Sequence, residues 1–182
     1  KHALIRLVKL IKRNRYELAV MESVESGKPI HDCATIDLPE TQHCLEWHAE
    51  ATDKLYDQVT PSGDDALGLV VREPMGGGGC VVPWNFPLMM VAWKIGPALA
   101  AGNSVVVKPA EQTSMTALRL AELALEAGIP AGVLNVVPGM GETAGQALGR
   151  HPGVDMISFT GSTEVGRMFL KYSAESNLKK IV

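Results

Sequence analysis

The sequence has few of the residues that mark a secreted, metal-binding or nucleic-acid-binding protein. It contains only three cysteines, Cys33, Cys44 and Cys80, without CxxC spacing and without a histidine placed to complete a zinc site. An odd, sparse set of thiols is typical of a reducing compartment, so we expect a cytoplasmic protein with no metal. The formal net charge of −3 argues against nucleic acid as a partner, because no positive balance supports a basic surface.

Long uninterrupted hydrophobic runs are also absent. Residues 74–93 carry no charge, but three prolines, four glycines and Asn85 interrupt them, which excludes a transmembrane helix. Six basic residues precede the first acid, Glu17, yet the first twenty residues contain no serine and begin at Lys1 without methionine. We therefore expect an internal piece of a longer protein, without a targeting segment or a membrane partner.

The first 73 residues have helical patterns followed by a turn signal. With 46% hydrophobic residues, the chain is long enough for one sizeable core. Apolar residues at helical spacing from Leu4 to Met21, closed by Gly27, predict one amphipathic helix. A second helix is predicted from about Glu40 to Lys54. Residues 56–72 look extended around a turn at 61–64, which predicts a hairpin.

From Gly79 onward, short apolar runs alternate with helical segments. The runs CVVPW, SVVVKPA, VLNVVPG and MISFTGS lack strict alternation, as expected for strands buried on both faces of a parallel sheet, and KKIV looks like a fifth strand. The predicted fold class is therefore α/β, with a doubly wound parallel sheet, leading helices and a hairpin. Helix ends are expected at three glycines: Gly102, Gly128 and Gly149. Helix starts are expected near Thr113 or Ser114, near Glu142 and near Thr163.

Two segments compete as the phosphate site, because such a sheet binds ligands at the carboxyl ends of its strands. Residues 139–144 formally match GxGxxA, but the match lies in the third unit rather than the first. Residues 159–166, FTGSTEVG, are the favoured alternative, since Gly161 allows close approach and Ser162 caps a helix whose free amides suit a pyrophosphate. By local pattern alone, the second segment is equally consistent with a well-capped helix that binds nothing.

Four segments together resemble the aldehyde dehydrogenase superfamily: PWNFP at 83–87, KPAEQTS at 108–114, VVPGMGETAG at 136–145 and FTGSTEVG at 159–166. The resemblance covers essentially the whole chain. It implies NAD-dependent oxidation of a small aldehyde to a carboxylic acid through a covalent thiohemiacetal, in a homo-oligomer, dimer or tetramer. It also implies a helical lead-in (1–55), a hairpin of the oligomerisation region (56–73) and a Rossmann-like NAD-binding core (74–182) truncated before the catalytic domain.

The same resemblance implies roles around the aldehyde. Asn85 matches the family's oxyanion donor, and Pro83 and Pro87 already set the turn around it. Lys94 matches a lysine near a proton-relay path, although a solvated helix lysine is an equal alternative. Three further residues share one face of the following helix: Phe86, Met90 and Trp93. They match the residues that line the family's aldehyde tunnel, although by pattern alone they could equally belong to the hydrophobic core.

The cofactor contacts follow from the resemblance as well. Lys108 and Glu111 match residues that hold the adenosine ribose, although the two charges could simply pair with each other. Glu111 near the ribose 2′-position predicts a preference for NAD over NADP. Gly139 and Gly145 are expected to serve turn and packing. The other predicted cofactor contacts are Val82, Pro83, Trp84, Ala110, Gly141, Phe159, Gly161, Ser162 and Val165.

The sequence departs from the family pattern in two respects. Gly77 and Gly78 replace a usual apolar pair, so the first sheet strand is expected to start irregularly. The family's general-base Glu and nucleophilic Cys belong after residue 182, and Cys80 is expected to be a buried structural thiol. The chain as given is therefore expected to be inactive, and a non-catalytic nucleotide-binding or interaction module is the alternative. Residues 46–59 resemble dehydrogenases of amino-aldehydes.

Overall fold

The computed structural model describes residues 1–182 and has two sheets and eight α-helices. No helix in it is both long and apolar enough to span a bilayer. The helices are α1 (His2–Arg13), α2 (Arg15–Ser26), α3 (Ile30–Asp32), α4 (Leu38–Ala51), α5 (Pro87–Ala100), α6 (Met115–Glu126), α7 (Gln146–Arg150) and α8 (Thr163–Ala174). The strands are β1 (Gln58–Thr60), β2 (Gly68–Val70), β3 (Gly77–Val81), β4 (Ser104–Lys108), β5 (Leu134–Val136), β6 (Met156–Phe159) and β7 (Lys180–Ile181).

The lead-in forms two helices where the sequence pattern predicts one. The break falls at Asn14, whose φ of −98° and ψ of 18° leave the helical region and whose side-chain amide donates to the Leu10 carbonyl at 2.8 Å. An asparagine that bonds its own backbone competes with helix continuation, and the apolar spacing does not reveal this. The second helix ends at Gly27, which has a φ of 73°, as predicted.

The helix before the hairpin begins earlier than predicted. A π-helical turn, Cys33–Asp37, joins α3 directly to α4, so helical backbone runs from Ile30 to Ala51 rather than from Glu40 to Lys54. The predicted hairpin is confirmed, since β1 and β2 pair antiparallel with Gln58 opposite Val70. This two-stranded sheet has no strand in common with the larger sheet.

The five-stranded sheet confirms the predicted fold class. All of its pairings are parallel, and the order β5-β4-β3-β6-β7 places the first strand at the centre. The chain winds outward from β3 through β4 and β5, and then returns to the other side of β3 as β6 and β7. The order of strands therefore reverses between β3 and β6, and ligands bind at such a reversal in doubly wound sheets.

Each face of the sheet has its own apolar cluster. Cys80 and Val82 belong to the larger cluster, which includes buried residues of α1, α4, α5 and α6. Val81, between them in sequence, packs on the opposite face with Ile157 and Phe169. Helices cover both faces because successive side chains of a strand point to opposite sides.

The glycine run does not disturb the central strand, so the expectation of an irregular start is wrong. β3 pairs from Gly77 onward, with Gly77 opposite Ser104 and Gly78 opposite both Val105 and Met156. The Gly77 amide donates to Asp155 Oδ2 at 2.8 Å, which holds the start of the strand in place. At Gly79 the space for a side chain is taken by Ile157 and Leu148, so neighbouring residues complete the packing.

Two of the three predicted helix-ending glycines lie where expected. Gly102 and Gly128 follow α5 and α6 with φ of 84° each. Gly149 instead lies inside α7, where a Cβ would approach the Tyr172 ring at 2.7 Å and the Phe169 ring at 3.1 Å. It is therefore a packing glycine between α7 and α8, and the helix ends one residue later than predicted, at Arg150.

The lead-in helices are joined to the sheet domain by polar contacts across a long sequence separation. Glu25 of α2 accepts a hydrogen bond from the Met115 amide at 2.7 Å and also bonds the Thr116 hydroxyl at the start of α6. At the other end of α6, Arg6 Nε donates to the Ala127 carbonyl at 2.6 Å. Both ends of α6 thus have their free backbone groups bonded by side chains of α1 and α2.

Candidate cofactor site

The main cavity lies at the carboxyl ends of β3, β4 and β6. It has a volume of about 590 Å³ and is bounded by the start of α8 and by the π-helical turn Gly141–Gly145. Every cofactor contact predicted from the sequence lines this cavity: Val82, Pro83, Trp84, Lys108, Ala110, Glu111, Gly141, Phe159, Gly161, Ser162 and Val165. Residues from all four sequence motifs therefore line one cavity, because each motif lies at or just after the carboxyl end of a strand.

One end of the cavity is formed by the N-terminus of α8. Ser162 is the N-cap, and its hydroxyl accepts from the Val165 amide at 3.3 Å. A side chain at Gly161 would meet the Phe159 ring at 2.5 Å, so only glycine lets the loop lie this close to that ring. First-turn amides without helical partners and the positive end of the helix favour an anionic group here.

An ion pair between a buried lysine and an exposed glutamate forms another wall. Lys108 Nζ lies 2.8 Å from Glu111 Oε1, with the lysine side chain 5% exposed and the glutamate 37%. Burial raises the pKa of the Glu111 carboxyl and the hydrogen bond from Lys108 lowers it, with a net downward shift. Gly141 is close by, since a Cβ there would lie 3.7 Å from Glu111 Oε1. The pair therefore forms part of the cavity wall, and the alternative that the two charges pair with each other is confirmed. The ribose contact stays a prediction.

The structure adds cavity residues that motif matching does not identify. Glu142 lies in the π-helical turn after β5 and Gln146 directly follows it, and Glu164, Met168 and Tyr172 lie along α8. The spacing of the α8 residues by four along a helix is the signal that would have placed them on one face. Gly145, expected with Gly139 to serve turn and packing, is buried and also lines the cavity.

The PWNFP loop connects β3 to α5. Trp84 lines the cavity, and the next residue, Asn85, is exposed at the end of the loop. Phe86 is the N-cap residue of α5, and the Lys28 ammonium lies 3.9 Å from the centre of its ring. The loop is therefore bound on one side to the lead-in helices and on the other to the cavity.

Lys94 is not a solvated lysine. It is half-buried, and its ammonium donates to the Ser158 hydroxyl of β6 at 3.1 Å. Burial lowers the pKa of Lys94, with Cys80 acting weakly against that shift. Cys80 itself is buried, and burial raises the pKa of its thiol to about 12, so this cysteine stays protonated and fits the expected structural role.

The three residues predicted to form an aldehyde tunnel have different environments. Met90 is buried in the core and Phe86 is partly buried against it. Trp93 is 47% exposed and lines a separate groove of about 380 Å³ between α4 and α5. The remaining lining residues of this groove are Glu40, His43, Cys44, Trp47 and His48.

A buried charge cluster beneath the PWNFP loop was not anticipated from the sequence. Glu22 is fully buried, and neither carboxylate oxygen has a hydrogen-bond partner. Asp37, also buried, forms an ion pair with Lys28. Burial first, and then the nearby Asp37 charge, raises the pKa of Glu22 from 4.5 to about 8. Acids at unremarkable helix positions give no sequence signal for such a cluster.

The sheet topology and the cavity at its reversal point define a doubly wound α/β protein, a class in which ligands bind at the carboxyl ends of the strands. The sequence profile of the aldehyde dehydrogenase family matches residues 1–182. The chain is 66% identical over 182 residues to the aminoacetaldehyde dehydrogenase of Pseudomonas aeruginosa and 49% identical over 181 residues to the NADP/NAD-dependent aldehyde dehydrogenase PuuC of Escherichia coli. In both comparisons all of this chain aligns with 37% of the relative's length.

A solved structure supports the same assignment. An indole-3-acetaldehyde dehydrogenase in complex with NAD+ superposes with a TM-score of 0.98 at 52% identity, covering 99% of this chain and 36% of that protein. The chain belongs to the aldehyde dehydrogenase family. It spans little more than a third of the length of these relatives.

Proposed function

We propose that the complete protein oxidises an aldehyde to a carboxylic acid with NAD, and that this chain supplies the cofactor site and the oxyanion donor. The observation that carries the proposal is that the Lys108–Glu111 pair and the N-terminus of α8 line the same cavity. These features match two neighbouring parts of a dinucleotide: the Lys108–Glu111 pair suits the hydroxyls of a ribose, and the helix N-terminus suits the pyrophosphate. The NAD+ bound by the relative of known structure supports the same cofactor.

The chain's own residues would act mainly by binding and orientation. When bound, NAD accepts a hydride from the substrate. Lys108 and Glu111 would hold the adenosine ribose, and Ser162 with the first-turn amides of α8 would hold the pyrophosphate. Asn85 would donate a hydrogen bond to the oxygen that gains charge during attack on the aldehyde. Lys94, half-buried beside Ser158, is proposed to lie near the proton path.

The covalent steps depend on groups that the resemblance assigns to the region after residue 182. A cysteine thiolate would form the thiohemiacetal, and a glutamate would activate water to release the acid. Amino-aldehydes are the proposed substrate class, because the aminoacetaldehyde dehydrogenase is 66% identical to this chain. We further propose a cytoplasmic, homo-oligomeric enzyme. The exposed apolar side chains of the hairpin, Val59 and Leu69, suit burial against a second copy.

The test is NADH formation by the complete protein with an amino-aldehyde, together with NAD binding measured as a thermal shift. Lys108→Ala should lower both NAD affinity and activity, whereas Lys9→Ala, an exposed lysine on α1, should leave both unchanged. The proposal fails if the complete protein forms no NADH from any aldehyde. It also fails if Lys108→Ala and Lys9→Ala bind NAD equally well.

A further inference from the structure

The side chain of Asn85 is not oriented by bonds of its own. It is exposed at the end of the PWNFP loop, and it forms no hydrogen bond with another group of this chain. The direction of its amide therefore depends on how the loop backbone is held. For a group that has to meet the transition state, a displacement of about 1 Å can cost on the order of 100-fold in rate.

The residue that directly follows Asn85 sets the turn into α5. Phe86 has a φ of −140° and a ψ of 66°, outside the helical region, and its carbonyl accepts the first hydrogen bond of the helix from the Met90 amide at 2.9 Å. Pro83 and Pro87 have no backbone N–H, so the loop has few donors with which to hold itself. Whatever fixes the Phe86 side chain therefore also fixes the position of Asn85.

Lys28 contacts that side chain from the lead-in helices. Its ammonium lies 3.9 Å from the centre of the Phe86 ring, and its side chain is only 19% exposed. Cation–π contacts are strongest where water is excluded. The backbone of Lys28 is itself fixed, because its carbonyl accepts from the Ser23 hydroxyl at 2.7 Å and it follows Gly27, whose φ is 73°. Lys28 thus presents its charge to the ring from a rigid position.

Two buried acids keep the ammonium at this position. Asp37 is almost completely buried, and its Oδ2 forms the ion pair with Lys28 while its Oδ1 has no hydrogen-bond partner. Glu22 is also close, since the Lys28 charge opposes the rise in the pKa of Glu22. A buried carboxylate that loses its cation is strongly destabilising. The acids therefore hold Lys28 against the Phe86 ring.

We infer that Lys28 is a positioning residue for Asn85: its ammonium, held by Asp37, fixes the Phe86 ring and through it the direction of the Asn85 amide. The inference rests on the proposed function, in which Asn85 is the oxyanion donor. Lys28 does not line the cofactor cavity, so it should act on the transition state and not on NAD binding. An effect that passes through Asn85 lowers kcat and kcat/KM together and leaves KM unchanged.

The experiment compares Lys28→Met and Lys28→Arg with the wild type in the complete protein, using one aldehyde at saturating NAD. Lys28→Met should lower kcat roughly three- to thirtyfold, the range that the loss of one cation–π contact allows. KM for the aldehyde and NAD affinity should change by less than about twofold. Lys28→Arg keeps a cation for both Asp37 and the ring, so it should restore most of the activity. Lys9→Met, at an exposed lysine of α1, is the matched control and should match the wild type.

The decisive measurement repeats the substitution in an Asn85→Ala background. If Lys28 acts through Asn85, the two substitutions are not additive, and Lys28→Met should now lower kcat by less than about twofold. An equal loss of kcat in both backgrounds would overturn the inference, because Lys28 would then act independently of Asn85. A rise in KM at unchanged kcat would also overturn it, since the Phe86 ring would then be acting on substrate binding.

A second variant separates this role from a folding defect. Lys28→Met combined with Asp37→Asn leaves no unpaired Asp37 charge, so its urea midpoint should lie closer to that of the wild type than the midpoint of Lys28→Met does. Its kcat should stay as low as that of Lys28→Met, and recovery of kcat together with stability would refute the inference. If Asn85→Ala lowers turnover and Lys28→Met does not, only this inference fails. If Asn85→Ala leaves turnover unchanged, the oxyanion assignment fails and the inference fails with it.

Discussion

The buried acid Glu22 makes a specific prediction about pH. Its pKa in the folded protein is about 8, against an ordinary value of 4.5, because burial disfavours the charged form. Between those two pH values the unfolded chain binds fewer protons than the folded chain. The contribution of protonated Glu22 to the free energy of unfolding is therefore fully present below pH 4.5 and is lost as the pH rises towards 8. At 1.36 kcal/mol per unit, the total loss is at most about 5 kcal/mol, with about 2 kcal/mol of it between pH 6 and pH 8.

Glu22→Gln removes this titration while keeping the size of the side chain. The free energy of unfolding of the wild type, relative to Glu22→Gln, should therefore fall by about 2 kcal/mol from pH 6 to pH 8. Urea unfolding at the two pH values measures this, with an unchanged m-value as the check that both proteins unfold alike. Infrared spectroscopy should show one protonated carboxyl group near neutral pH that is missing from the variant.

The matched control is Glu126→Gln, an exposed glutamate at the end of α6. Its stability relative to the wild type should not change between the two pH values. If wild type and Glu22→Gln show parallel pH dependence, Glu22 is ionised in the folded protein and its burial does not control its proton. The account of the cluster beneath the PWNFP loop would then have to be abandoned.

Three other changes test different parts of the structure. Asn85→Ala in the complete protein should lower turnover by about two to three orders of magnitude with little change in NAD affinity, and unchanged turnover would remove its assignment as oxyanion donor. Glu111→Gln should narrow the preference for NAD over NADP, measured with one aldehyde and both cofactors, because it removes the charge that repels a 2′-phosphate; a wild type that uses NADP equally well would refute that role. Gly79→Val should destabilise the chain by about 1–3 kcal/mol in denaturant unfolding, since Ile157 and Leu148 already fill the space, and an unaffected midpoint would contradict the packing described.

The sequence was most informative where a residue's role depends on its own strand or turn. Alternating apolar runs and helical segments predicted the parallel sheet, and the motifs at strand ends predicted residues that meet in one cavity. It failed where the outcome depends on tertiary neighbours. Gly149 resembles a helix end, yet Phe169 and Tyr172 hold it inside α7. Gly77 and Gly78 looked like weak points, but pairing with both neighbouring strands keeps them regular.

The candidate site shows the same division. Lys108 and Glu111 were predicted because they lie in one motif, but Glu22 belongs to α2, Lys28 to the link that follows it, and Asp37 to the π-helical turn. No local pattern brings those three together, and their contact depends on how the lead-in helices pack against the start of α5. Local sequence patterns therefore predict motifs, but they do not predict clusters of side chains that meet only in the folded protein.

The bonds from Glu25 and Arg6 to the two ends of α6 make the lead-in helices part of the same structural unit as the large sheet. A boundary drawn at the first strand of the large sheet, at Gly77, would look natural from the strand order. Cutting there would leave the Met115 and Thr116 amides and the Ala127 carbonyl without their present partners, and would uncover the apolar face that α1 shares with α6. Any attempt to transplant, permute or recombine this unit should therefore include α1 and α2 together with the large sheet.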